Sequence, residues 1–316
     1  MKVIDLINSS KSTAFSFEIL PPLKGNSIQK VYNVIDKLIE FDPKYINITS
    51  HHSEYIYKTL PDGSFQKVNI RKCPGSVAIA SAIQNKYGIT AVPHIICKGF
   101  TKDETEYALI DLNFLGVYDL LLLRGDVKTL EAGQKTDIYH EHATDLQQQV
   151  NDFNKGIAID GSVFEANETP FSYGMACYPE KHEEAPNMES DIFYLKEKVK
   201  NGADYLVTQM FFDNEKYYAF VDRCRAEGIT VPIIPGIKPI VFKNQLTVLP
   251  KIFRSDIPEP FATELRKCKT DDEAKAVGVE WCIQQCKDLI AHGVPSLHFY
   301  TMMASDSVYK VAKEVY

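Results

Sequence analysis

The chain has 316 residues, of which 45% are hydrophobic and 24% charged, the makeup of a globular protein; its net charge of −7 excludes the basic footprint of a nucleic-acid binder. No apolar run approaches the roughly 20 residues that cross a bilayer, and the opening Met1-Lys2-Val3-Ile4-Asp5 lacks the apolar stretch of a secretion signal. Seven scattered cysteines argue against a disulfide framework, so we expect a cytoplasmic protein with neither a nucleic-acid nor a membrane partner.

Short apolar runs alternate with helical segments along the chain. Residues 15–19 read as a strand carrying Glu18, and Asn26-Ser27 caps a helix that reaches Glu40 with Val31, Val34, Ile35 and Leu38 on one face. Residues 45–49 form the second strand. A long loop is expected over 50–72, bearing His51, His52, Tyr55, Tyr57 and the turn Pro61-Asp62-Gly63. A helix over 75–87 leads to a strand at 89–95 that contains His94. Thr101-Lys102-Asp103-Glu104 has the form of a capping box, opening a helix that ends near Gly116. Leucines 120–123 form a buried strand that ends abruptly in Arg124-Gly125-Asp126, and a helix is expected over 141–154.

The second half keeps this rhythm. Strands are expected at 173–177, 205–209, 233–236 and 297–300, and helices at 191–201, 214–227 and 271–292; residues 241–260 read as the least regular stretch. Strand–helix units repeated eight times predict an α/β fold, a single-domain (β/α)8 TIM barrel over 1–316, whose active site lies at the C-terminal strand ends. The polar residues at those ends are therefore the first candidates for chemistry.

Glu18 is the sharpest of them. Strand side chains alternate faces, so Ser16 and Glu18 share one face while Phe15, Phe17 and Ile19 share the other, which a barrel turns toward its helices. A carboxyl on the inner face is desolvated, which raises its pKa and suits a general acid; a surface glutamate is the plain alternative. Arg124 and Asp126 either serve a ligand approached closely by the Gly125 backbone or pair with each other. His94 reads equally as a ligand-facing or a hydrogen-bonded structural histidine. Residues 178–182 (Tyr-Pro-Glu-Lys-His) offer groups suited to a polyol or phosphate. Gln209 either reads a heterocycle or satisfies loop backbone. Cys282 and Cys286 share a helix face and read as core rather than zinc ligands. There is no glycine-rich dinucleotide fingerprint, Walker loop, His-Glu-x-x-His or Gly-x-Ser-x-Gly.

Taken in order, Phe17-Glu18 with Pro21-Pro22, Asn47-Ile48-Thr49, Pro93-His94, Leu123-Arg124-Gly125-Asp126, Tyr178-Pro179-Glu180 with His182, Gly202-Ala203-Asp204 leading to Thr208-Gln209-Met210-Phe211-Phe212-Asp213, Ile234-Pro235-Gly236-Ile237 and His298-Phe299-Tyr300-Thr301 resemble the methylenetetrahydrofolate reductases. The resemblance covers nearly the whole chain. It is to the bacterial-type members, which have a single catalytic domain and no regulatory domain. It implies a barrel with non-covalent FAD and NADH or NADPH as co-substrate. It also implies ping-pong hydride transfer that converts 5,10-methylenetetrahydrofolate to 5-methyltetrahydrofolate for methionine synthesis, and a homo-oligomer.

By motif, Glu18 is implied as the general acid and Asp126 as the charge near flavin and pterin. Glu18, Asp126, Gln209 and Tyr300 are implied at the folate. Thr49, His94, Arg124, Gly125, Asp126, Ala143, Tyr178, His182, Ala185, Asp191 and Lys198 are implied at FAD. Three positions depart from the family pattern: Ala304 stands for an arginine, Val248 or Leu249 for a phenylalanine, and Tyr194 for an asparagine. A related FAD barrel oxidoreductase with an altered substrate and a non-catalytic barrel subunit are the alternatives; retention of both Glu18 and Asp126 argues against the latter.

Overall fold

The structure, a computed structural model, describes residues 1–50, 54–125, 138–302 and 304–316. In chain order its elements are α1 (Val3–Ser9), β1 (Ala14–Ile19), α2 (Gln29–Leu38), β2 (Tyr45–Ile48), β3 (Glu54–Thr59), β4 (Phe65–Ile70), α3 (Ser76–Tyr87), β5 (Thr90–Ile96), α4 (Lys102–Phe114), β6 (Asp119–Leu123) and α5 (Ala143–Asn154). There follow β7 (Ser172–Cys177), α6 (Met188–Lys200), β8 (Tyr205–Thr208), α7 (Asn214–Ala226), β9 (Ile233–Ile234), β10 (Gly236–Ile237), α8 (Gln245–Phe253), α9 (Glu259–Lys267), α10 (Asp271–Ala291), β11 (Ser296–Tyr300) and α11 (Ser305–Val315).

One sheet runs β10-β11-β1-β2-β5-β6-β7-β8-β9, and β3 and β4 form a separate pair. β9 pairs in parallel with β8, and β10 in parallel with β11. Only Pro235 separates β9 from β10. Proline has no N–H to give a ladder, so a single strand is interrupted there. Counted as one strand, β9 and β10 leave eight, alternating with helices in the order of a (β/α)8 barrel.

Two expectations are corrected. The long loop over 50–72 contains an antiparallel hairpin, with Tyr57 opposite Lys67 and Thr59 opposite Phe65. Its turn is closed by the Leu60 N–H on the Ser64 carbonyl (2.8 Å) and by Asp62 accepting from the Ser64 N–H (2.9 Å). These strands leave Ile56, Tyr57 and Phe65 exposed, so the inside–outside alternation that marks a strand in sequence is missing. The irregular stretch 241–260 holds α8 and the start of α9. Its prolines disguised both helices, yet Pro258 is the N-cap of α9 and Pro260 lies in its first turn, where no backbone N–H is needed. α1 and α11 were likewise not anticipated.

The chain divides into two compact units, the first comprising Met1–Ile19, Val34–Asn47 and Ser172–Tyr316, the second Leu20–Asn33 and Ile48–Phe171. In the first, β1 lies beside β11 in a register of Ser16 with His298, Phe17 with Phe299 and Glu18 with Tyr300. Phe15 packs on Phe17, Phe41, Phe299 and Tyr316 at ring separations of 5.3–5.8 Å. The phenylalanines of β1 thus belong to the helix-facing core, as the alternation requires. A second cluster joins Met210, Phe212, Ile240, Leu249, Phe261 and Leu265 under α8 and α9. In the second unit, β5 and β6 pair with His94 opposite Leu121. Thr101 and Glu104 form the expected capping box on α4, with bonds of 3.1 and 2.8 Å.

Candidate active site

Glu18 lies one residue from the end of β1 and is 8% exposed. Its face of the sheet is defined by its neighbours: Ser16 Oγ meets His298 Nδ1 at 3.0 Å, and the ring of Tyr300 extends toward Gly236. A side chain at Gly236 would collide with that ring and with the Thr208 carbonyl, so glycine is needed there. The Tyr300 hydroxyl donates to the Thr208 carbonyl at 2.5 Å, and Thr301 Oγ1 donates to the Glu18 carbonyl at 2.6 Å. The strand ends around Glu18 are therefore bonded to one another. Burial pushes the Glu18 carboxyl up to about 8, opposed by the nearby Lys238 ammonium. A carboxyl so placed is neutral at pH 7 and able to donate a proton. Burial pushes the Tyr300 phenol well above its ordinary value.

Lys238 was not anticipated. It is 2% exposed, and burial lowers its ammonium to about 8 while Glu18 holds it up. The available signal was a single charge among the apolar residues of 233–240. Gln209 Oε1 accepts the Met210 N–H at 2.9 Å, a bond within its own loop.

Tyr178, His182, Ala185, Asp191 and Lys198 are brought together at the ends of β7 and α6. The His182 N–H donates to the Asp191 carboxylate at 2.8 Å, and the rings of Tyr178 and His182 meet edge-on at 4.7 Å. Lys181 adopts φ of 79°, a left-handed conformation uncommon for a residue with a Cβ. Its ammonium donates to the carbonyls of His182 (3.1 Å) and Ala185 (2.5 Å), which fixes the bend. Lys198 donates to the Ala176 carbonyl at 3.0 Å, which brings a cation to the end of β7.

In the second unit, His94 is 4% exposed, and its carbonyl accepts from Ser50 Oγ at 2.5 Å and Ser76 Oγ at 3.3 Å. Gly125 has φ of 81°, which explains a glycine directly after Arg124. Ala143 is the first residue of α5. Thr49 Oγ1 is buried without a hydrogen-bond partner among the described residues. Asp126, His51 and His52 lie outside the described residues.

In the first unit, His182 and Lys198, presented by the end of β7, are groups suited to the phosphates of a large polar cofactor; in the second unit, Thr49 has an orphaned buried hydroxyl and Gly125 a positive φ directly after Arg124. Within each unit, the described residues implied for FAD are of types that fit that group chemically. A family model for methylenetetrahydrofolate reductase matches residues 2–316. The chain belongs to this family. An Escherichia coli 5,10-methylenetetrahydrofolate reductase is 30% identical over 297 residues, which span 94% of this chain and 88% of that one. An Arabidopsis thaliana methylenetetrahydrofolate reductase (NADH) is 30% identical over 97% of this chain but only 49% of its own length. The chain spans less than half the length of the eukaryotic relatives it matches. A solved Clostridium thermocellum protein described as binding two copies of 5-methyl-5,6,7,8-tetrahydrofolic acid superposes with a TM-score of 0.55 at 14% identity, covering 98% of both chains. That likeness concerns the fold.

Within the family frame the three departures take on a physical meaning. Leu249 is 3% exposed and packed in the cluster with Phe212 and Phe261, whereas Val248 and Phe242 are exposed. Ala304 is the N-cap residue of α11. Tyr194 is exposed and stacked edge-on against Phe193.

Proposed function

We propose that the chain is a flavin-dependent methylenetetrahydrofolate reductase, active as one catalytic barrel in the cytoplasm. It takes electrons from NADH or NADPH, reduces 5,10-methylenetetrahydrofolate to 5-methyltetrahydrofolate and so feeds methionine synthesis. FAD, when bound, supplies the hydride transfer between nicotinamide and folate. Thr49, His94, Arg124, Gly125, Asp126, Ala143, Tyr178, His182, Ala185, Asp191 and Lys198 are its proposed contacts, with Arg124, His182 and Lys198 directed at the pyrophosphate. Assembly into a homo-oligomer is part of the same proposal.

The observation that carries this reading is the burial of Glu18 at the end of β1, which keeps its carboxyl protonated at neutral pH. Opening the folate's five-membered ring requires a proton on the departing nitrogen. A neutral carboxylic acid with a raised pKa gives up that proton near pH 7. Asp126, Gln209 and Tyr300 are proposed to bind the folate beside it. The proposal predicts that Glu18→Gln lowers the rate of the folate half-reaction by about 100-fold or more and leaves flavin reduction by nicotinamide within a few-fold of the parent. Anaerobic stopped-flow of the two half-reactions reads both rates, and full folate activity in the variant would remove Glu18 from the acid role.

A second reading, a related FAD barrel oxidoreductase with an altered substrate, is favoured by Ala304 and by the packing-away of Leu249. It predicts flavin reduction by nicotinamide without turnover of the folate.

A further inference from the structure

Lys238 is the one charged residue in Ile233-Ile234-Pro235-Gly236-Ile237-Lys238-Pro239-Ile240 and is 2% exposed. An ammonium buried this deeply is costly unless something nearby offsets its charge. The register shows what does. Gly236 is opposite His298 and Ile237 opposite Phe299, while Ser16 is opposite His298 and Glu18 opposite Tyr300. Alternation then gives Gly236 and, two residues on, Lys238 the same face as His298, Tyr300 and Glu18. The buried ammonium, one residue past the end of β10, and the buried carboxyl on β1 thus follow the same face, on either side of β11.

We propose that Lys238 is a positioning residue for Glu18: across β11 the ammonium and the carboxyl hold and release their protons as one unit, so that when Glu18 gives up its proton a buried ion pair forms instead of an isolated buried anion. This rests on the reading of Glu18 as the proton donor. In that step the O–H bond of Glu18 breaks, an N–H bond forms on the departing folate nitrogen, and the opening C–N bond leaves its electron pair there. The carboxylate left behind faces the Lys238 ammonium and regains its proton from water after product leaves.

The other titratable groups around the pair are His298 and Tyr300 on β11, Cys282 on α10, Cys177 on β7 with Tyr178 beyond it, and Tyr45 on β2. Burial pushes the Tyr300 phenol and the Cys177 thiol well above their ordinary values and Tyr45 up to about 12, so these three stay neutral at neutral pH. Burial drives both members of the pair toward their neutral forms, Glu18 upward and Lys238 downward, while each partner's charge opposes the shift.

The test reads protons directly in the ligand-free protein. In protein labelled with 13C on glutamate carboxyls, the Glu18 signal, assigned by its loss in Glu18→Gln, should titrate at a higher pH in Lys238→Met than in the parent, by about one unit, a tenfold change in proton affinity. The reciprocal reading uses 15N-lysine: in Glu18→Gln the Lys238 amine should titrate at a lower pH than in the parent. That measurement does not depend on Lys238→Met folding. In the folate half-reaction, the alkaline limb of the Lys238→Met profile should move upward while nicotinamide-driven flavin reduction keeps its own profile. Midpoints that do not move in either variant overturn the proposal. Coupled midpoints in a protein that never oxidises its flavin with folate would leave the pair standing and remove the reductase reading instead.

Discussion

Glu18 loses most of its hydration at the end of β1, and the consequence should appear in stability as well as in rate. Its carboxyl is raised from an ordinary 4.5 to about 8 in the folded chain. The stability it contributes is therefore complete below pH 4.5 and lost as pH rises through 8, because the folded state binds the extra proton across that window. Lys238 runs the other way: lowered from 10.5 to about 8, its contribution is complete above 10.5 and lost as pH falls through 8. Glu18→Gln removes the first contribution. The melting temperature of the variant minus that of the parent should rise steadily between pH 5 and 8 and level off above, by several degrees in total; thermal scans of the ligand-free proteins check this. A flat difference would mean that Glu18 is solvated. The buried position of Glu18 was legible in sequence, because a glutamate alternating with Phe15, Phe17 and Ile19 falls on the opposite, inward face. Lys238 was not, because Pro235 interrupts its strand in the sequence, and only the register of β10 beside β11 shows which face it follows.

Helices and strands were legible mostly where burial imposed a period, although α1 and α11, which bury Val3 with Ile7 and Val308 with Val311 and Ala312, were missed. The capping box at Thr101 and the glycine stop after α3 were readable from local chemistry alone, and Gly88 takes the expected left-handed conformation with φ of 66°. The hairpin of β3 and β4 escaped because Ile56, Tyr57 and Phe65 face solvent, α8 because Pro250 lies inside it, and α9 because Pro258 and Pro260 stand at its start. Close packing sets one further requirement. Gly278, in the middle of α10, lies against the Ile240 backbone, and a Cβ there would overlap the Ile240 carbonyl. A carbonyl cannot swing aside as a side-chain tip can. Although alanine favours helix over glycine, Gly278→Ala should therefore lower stability by about 1–3 kcal/mol, seen as a lower urea midpoint. A stabilised variant would show that α10 and the segment after β10 do not pack as described.

For the molecule as a whole, the expected strand runs coincide with the strands of the large sheet to within a residue or two, so the barrel class was readable from spacing alone. The candidate site was only partly readable. The motifs named Glu18, Tyr178, His182, Asp191 and Lys198, but not the bent backbone at Lys181 that gathers the β7 group, nor the cation beside Glu18. Both depend on contacts between residues far apart in sequence or on backbone conformation, which one-dimensional patterns do not encode. The central claim is that these strand ends serve a flavin which accepts electrons from a nicotinamide and passes them to a folate. The visible absorption spectrum of the purified protein, recorded anaerobically before and after NADH or NADPH and then after 5,10-methylenetetrahydrofolate, tests it most directly. The account predicts a yellow protein that is bleached by at least one of the two nicotinamides and recovers its colour with the folate. A colourless protein that takes up no FAD on titration would contradict it.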